Sequence, residues 1–99
     1  VVLFSEIPWN YTGIVEYFNG NKAWYLNGKY HRVDGPAFEY SSGTKSWYLY
    51  GKLHRVDGPA IELHNGDKSW CLNGKKYSQD EWFEMLSDED KLEAIWNLR

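Results

Sequence analysis

Apolar and polar side chains alternate in short runs along most of the chain, and the runs return at a fixed distance. Val15-Glu16-Tyr17, Phe38-Glu39-Tyr40 and Ile61-Glu62-Leu63 each place a Glu between two apolar residues, the period of a strand with one face buried. A Gly-bearing turn follows each run, at Asn19-Gly20, Ser42-Gly43 and Asn65-Gly66. Second strands come next, Lys22 to Leu26, Lys45 to Leu49 and Lys68 to Leu72, ending at Asn27-Gly28, Tyr50-Gly51 and Asn73-Gly74. Asn-Gly between alternating runs signals a two-residue hairpin turn, which needs positive φ at both positions. The pattern predicts β-structure over residues 14–77.

The period is 23 residues, because His31-Arg32-Val33-Asp34-Gly35-Pro36-Ala37 returns letter for letter as His54-Arg55-Val56-Asp57-Gly58-Pro59-Ala60. Self-similarity at a short fixed period means stacked copies of one unit too small to bury its own apolar face. Asp-Gly-Pro reads as a turn in which Asp accepts backbone N–H groups, Gly supplies a left-handed conformation and Pro opens the next strand. The adjoining His-Arg pair falls in an extended segment beside the neighbouring hairpin, where Arg32 and Arg55 can stack on Trp rings or pair with Asp34 and Asp57.

After Tyr77 the alternation stops. Ser78-Gln79-Asp80-Glu81 fits a capping box, and Trp82, Phe83 and Leu86 share the following helical face. Ser87-Asp88-Glu89-Asp90 offers a second helix start with acidic residues in its first turn. Leu92, Ile95 and Trp96 give that helix a matching apolar stripe, and Arg99 suits its end. The expected architecture is mainly β, an antiparallel meander of about three 23-residue β-hairpin repeats capped by a short C-terminal helical segment. Residues 1–99 form a single domain: 1–13 lead-in, 14–77 repeats and 78–99 cap.

Composition adjusts this picture in three ways. The chain is 18% aromatic, with six Trp and eight Tyr, rings large enough for thin sheets to exclude water and to serve as contact surfaces. Cys71 is the only cysteine, so no internal disulfide forms; it takes the position held by Tyr25 and Tyr48, as a small buried filler. Charge is uneven: residues 1–77 carry nine basic and seven acidic side chains, while residues 78–99 carry two and seven. A near-neutral body with an acidic end argues against a DNA-coating protein, which needs a basic stripe. No apolar run approaches the roughly 20 residues of a membrane span, and the cytoplasm is the expected location.

The pattern Trp-Tyr-Leu-Asn-Gly-Lys-x-His-Arg-x-Asp-Gly-Pro-Ala, met from Trp24 to Ala37, resembles repeat proteins of tailed bacteriophages and some bacteria. It is more distantly similar to MORN-type hairpin repeats, which share the aromatic–Asn-Gly-Lys turn. Tyr11-Thr12-Gly13 stands where the first copy would have Asp-Gly-Pro. The resemblance implies a phage origin and action inside a bacterial host, by binding and blocking a component such as a defence system.

Three functional readings remain open. In the first, the protein is a non-enzymatic inhibitor that contacts a host protein through its Tyr-bearing face (Tyr25, Tyr48) or through an acidic docking helix (Glu81, Trp82, Glu84, Asp88). In the second, Arg32 and Arg55 hold the phosphate of a small nucleotide signal while Tyr25 or Tyr48 stacks the base. In the third, His31 or His54 serves a small hydrolase. Repeated blocks are poor catalytic sites, which are usually assembled once from unlike parts, so no catalytic residue is assigned. Zinc would need three or four converging ligands, and neither a metal nor a cofactor is expected. The Trp24, Trp47 and Trp70 column reads as core. Val1-Val2-Leu3-Phe4 reads as an edge strand through which a homodimer could form.

Overall fold

Two kinds of glycine turn fold the chain, and they do different work. The computed structural model describes residues 2–3 and 8–97, a mainly antiparallel β-sheet with a short helical region at the C-terminal end. The strands are β1 (Val2–Leu3), β2 (Gly13–Glu16), β3 (Lys22–Leu26), β4 (Lys29–Tyr30), β5 (Phe38–Glu39), β6 (Lys45–Ser46), β7 (Tyr48–Leu49), β8 (Lys52–Leu53), β9 (Ile61–Glu62), β10 (Lys68–Leu72) and β11 (Lys75–Tyr77), followed by α1 (Gln79–Glu84) and α2 (Asp88–Asn97). The main sheet runs β1-β2-β3-β5-β6-β9-β10-β11; β4 pairs with β3 off this path, and β7–β8 form a separate hairpin. β1 pairs with β2 in parallel. Val1 and Phe4 of the expected edge strand, and Arg99, lie outside the described residues.

Hairpins β2–β3, β5–β6 and β9–β10 close through three-residue loops, not the expected two-residue turns. Tyr17 N donates to Asn21 O and Gly20 N to Tyr17 O, and the same pair of bonds recurs at Tyr40, Gly43 and Thr44 and at Leu63, Gly66 and Asp67. Only the glycine takes positive φ, 92°, 102° and 95° in turn, as in a turn followed by a bulge. The second turns keep the expected form, with both residues left-handed: Asn27-Gly28, Tyr50-Gly51 and Asn73-Gly74. They fold the chain into the arms β3–β4, β7–β8 and β10–β11, of which β7–β8 stands apart from the main sheet, β4 branches off it and β11 ends it.

The Glu of each alternating run has a defined electrostatic place. Registers put Glu16 opposite Lys22, Lys22 opposite Glu39, Glu39 opposite Lys45, Lys45 opposite Glu62 and Glu62 opposite Lys68. This ladder of alternating sign crosses the main sheet, each opposite pair adding about 0.2–1 kcal/mol over a neutral one. Ala23, Ala37 and Ala60 are fully buried, with Ser46 nearly so. Their small side chains let neighbouring hairpins approach, and Ala37 N and Ala60 N donate to Ser46 O and Ser69 O.

The largest core cluster lies under the helices: Trp70, Leu72, Trp82, Leu86 and Ala94, flanked by Val56, Tyr77 and Phe83. The Ser78–Glu81 capping box forms as expected, and Ser87 Oγ accepts from Asp90 N at the start of α2. Two expectations are corrected. Trp24 and Trp47 are only half-buried, because each is covered by an arginine rather than by core. On α2 it is Ala94 that faces inward, while Leu92, Ile95 and Trp96 stay exposed. Trp82 already fills the space over Trp70, so only the methyl of Ala94 fits where α2 crosses it.

Candidate functional site

The repeated heptapeptide builds the same nest of contacts twice. Arg55 Nε donates to Asp57 Oδ1 at 2.7 Å, and Nη1 donates to Pro59 O at 3.1 Å and Glu62 Oε2 at 2.8 Å. Its Cζ lies 3.9 Å from the centre of the Trp47 ring. Arg32 repeats this with Asp34 at 2.8 Å, Pro36 O at 3.2 Å and Glu39 at 3.3 Å, over Trp24 at 4.1 Å. Stacking and ion pairing, expected as alternatives, thus occur together. The Arg32 guanidinium holds the Asp34 carboxyl below its usual range.

Gly35 and Gly58 differ from their expected role. Neither has positive φ; they are glycines because the arginine folds under them. A Cβ on Gly58 would lie 2.7 Å from Arg55 Cζ, and one on Gly35 would lie 2.9 Å from Arg32 Cζ.

The histidines are turn fasteners. His31 Nδ1 accepts from Tyr50 N at 2.9 Å, and His54 Nδ1 accepts from Asn73 N at 3.0 Å. Thr12 Oγ1 does the same for Asn27 N, which explains how the first copy manages without a histidine. Accepting at Nδ1 requires the neutral ring protonated at Nε2. Burial lowers the His54 pKa from its ordinary 6.5, against a smaller opposing pull from Asp90. With the folded value depressed, the unfolded chain binds more protons just below pH 6.5. Stability is therefore complete above that pH and falls as pH drops toward the folded pKa. Thermal unfolding scanned downward from about pH 8 is expected to show this loss below pH 6.5, and His54→Gln, which cannot titrate, should flatten the profile there.

An open groove of about 550 Å³ runs between the two heptapeptides, lined also by Trp47, Leu49 and Glu93 of α2. Arg32, Asp34, Arg55 and Asp57 line it, but in already paired form. Among the described residues no three His, Cys, Asp or Glu side chains come together to hold a metal ion.

Tyr25 and Tyr48 belong to an aromatic ladder on the other side of the pleat. Tyr30 bridges them, its ring centre 5.1 Å from each, and touches Phe38 at 5.4 Å. Tyr11, Tyr17 and Tyr40 extend the ladder at its ends. Burial pushes the Tyr25 hydroxyl far above the usual phenol range, and the Tyr17 hydroxyl, 3.1 Å away, adds to the effect. Burial also raises Tyr30 and Tyr48. Apart from Tyr40, which is exposed, these rings are half-buried packing.

The expected docking helix divides. Trp82 has no exposed surface and cannot reach a partner: its Nε1 donates to Arg55 O at 2.8 Å and its ring centre lies 4.7 Å from that of Trp70. Glu81 is engaged in the capping box, and Glu84 pairs with Lys91 at 3.8 Å. Asp88 is exposed in the first turn of α2. The exposed apolar residues of α2 were legible as a stripe, but periodicity gives the same signal whether a stripe faces inward or outward. Cys71 is buried, as expected, and burial raises its pKa. No helix among the described residues is long and apolar enough to cross a membrane. No family model, curated protein or solved structure matches the chain.

Proposed function

We propose that this is a non-enzymatic binding protein of the bacteriophage repeat type, three MORN-like 23-residue hairpin units with a helical cap. It acts in the host cytoplasm by occupying a host protein, in the concrete version a component of a defence system. The observation that carries this reading is the outward face of α2, where Leu92 is 69% and Trp96 71% exposed and Ile95 lies beside them. Asp88, Glu89 and Glu93 surround these side chains on the same helix. Burying a large apolar side chain contributes about 1.5–3 kcal/mol, so this face suits a partner with an apolar groove and a basic rim.

Two considerations set the other readings lower. Each heptapeptide guanidinium already has three acceptors and a Trp ring, so a nucleotide phosphate would have to displace an internal carboxylate. Among the described residues neither heptapeptide histidine is hydrogen-bonded to a carboxylate, and each spends Nδ1 on a backbone N–H. This speaks against a hydrolase built on either histidine.

The test compares the wild-type chain with the double variant Leu92→Glu/Ile95→Glu as bait in bacterial lysate. One stoichiometric protein is expected on the wild type and none on the variant, with melting temperatures matching because both positions are exposed. Equal capture by both, or capture by neither, would sink the α2 reading.

A further inference from the structure

The edge formed by the second turns carries a basic row that neither the core nor the ladder uses. Lys29, Lys52 and Lys75 each follow the Gly of a left-handed turn, and all three are exposed. The arms stack turn on turn: Gly51 N donates to Tyr30 O and Gly74 N to Leu53 O, both at 2.8 Å. A Cβ on Gly51 would lie 3.5 Å from Lys29 Cβ, and one on Gly74 would lie 3.8 Å from Lys52 Cβ. Lys29 and Lys52 therefore each rest against the next turn. In the strand ladder every lysine faces a glutamate. Within the turns themselves no acidic residue intervenes, Asp90 of α2 sharing a hollow with Asn73 and Lys75 at one end, and among the described residues none of the three lysines makes an ion pair.

A second observation lies at the same edge. Tyr50 takes φ 50° where the equivalent turns have Asn27 and Asn73. Left-handed backbone is tolerated by Asn but strained for a bulky side chain. The ring gains a contact with His31, centres 4.4 Å apart, yet remains 66% exposed. Strain maintained for an exposed aromatic ring points to a contact made outside the chain. Beside the Gly51 turn lies a shallow hollow of about 320 Å³, lined by Tyr25, Lys29 and Tyr30 with Gly28 and Gly51.

We infer that this turn edge binds single-stranded nucleic acid, with phosphates along Lys29, Lys52 and Lys75 and a base stacked on Tyr50. A lysine row that follows the backbone, beside aromatic faces that accept any base, is how single strands are held without sequence preference. The site does not use the outward face of α2 and does not depend on the protein partner proposed above.

Fluorescence anisotropy with a labelled oligothymidylate of about 15 nucleotides, titrated with the full chain at about 50 mM salt, tests the assignment. Saturable binding is expected, with a slope of log K against log salt near −2, about 0.7 per phosphate for three contacts. Lys29→Gln/Lys52→Gln/Lys75→Gln should abolish it. Tyr50→Asn, which restores the residue of the other turns and so folds, should weaken it about 5- to 100-fold with the slope unchanged. Leu92→Glu/Ile95→Glu should leave it intact. Absence of binding by the wild type, equal binding by the triple lysine variant, or equal affinity for a polyglutamate peptide would overturn the assignment.

Discussion

Trp82→Ala is expected to lower stability by about 3–5 kcal/mol, the range for deleting a fully buried Trp or Phe side chain. That is a large share of the roughly 5–15 kcal/mol that holds a domain of this size together. The position explains the severity. Arg32 covers Trp24 and Arg55 covers Trp47, but 23 residues after Arg55 the chain has Ser78, the N-cap of α1. Trp70 thus lacks a guanidinium, and Trp82 packs on it instead, returning its indole N–H to the carbonyl of Arg55. Truncation removes the ring, opens a cavity beside Trp70 and leaves a carbonyl unpaired. Trp82→Phe keeps most of the ring and isolates the hydrogen bond, so a loss of about 1–3 kcal/mol is expected. Leu92→Ala, on the exposed face, should stay within about 0.5 kcal/mol. Urea unfolding followed by circular dichroism measures all three. A loss below about 1 kcal/mol for Trp82→Ala would show that the helices are not part of the cooperative core.

The contrast between these substitutions marks what the sequence could and could not say. Local rules gave most of the strands, though Lys45–Leu49 divides at Trp47 into β6 and β7, the left-handed second turns and the Ser78 capping box, because each depends on residues within a few positions of one another. The Asn19-Gly20 class of turn was misread because Asn-Gly also suits a three-residue loop in which only Gly is left-handed, and loop length is set by strand register. Gly58 was misread for a longer-range reason. Its lack of a side chain serves the guanidinium of Arg55, three residues earlier and folded back under it, a contact no turn rule contains. The direction of α2 depended on Trp82 reaching Trp70 first and leaving room only for Ala94, so the Leu92, Ile95 and Trp96 stripe could not be oriented from its spacing. The candidate sites followed the same division. His and Arg stand out because they recur, and in both copies they hold neighbouring turns through internal hydrogen bonds. The residues that remain available, Leu92 and Ile95 on α2 and the lysines of the turn edge, are ordinary in sequence and become distinctive only when their neighbours are known to be satisfied elsewhere.

Arg55→Ala should be the next most damaging change, at about 2–4 kcal/mol, and Arg32→Ala should cost about half as much. A hydrogen bond to a charged group contributes about 1.5–3 kcal/mol and a guanidinium on a ring about 0.5–2 kcal/mol, but partial exposure of the carboxylates reduces the sum. Arg55 is the better held of the two, with 16% of its side chain exposed against 23% and a Glu contact of 2.8 Å against 3.3 Å. Gly58→Ala should cost part of the same loss by another route. Its added methyl would overlap the guanidinium, the far end of a flexible side chain, which has to shift and so loosens its contacts with Trp47, Asp57 and Glu62. The two substitutions then remove one set of interactions, so the double variant Arg55→Ala/Gly58→Ala should cost little more than Arg55→Ala alone, a coupling of about 1–3 kcal/mol. Denaturant midpoints for the four proteins of the cycle decide it. Additive losses would mean that Gly58 is required by its own backbone rather than by the arginine, and that the recurrence of Gly in both heptapeptides has a cause other than the nest around Arg32 and Arg55.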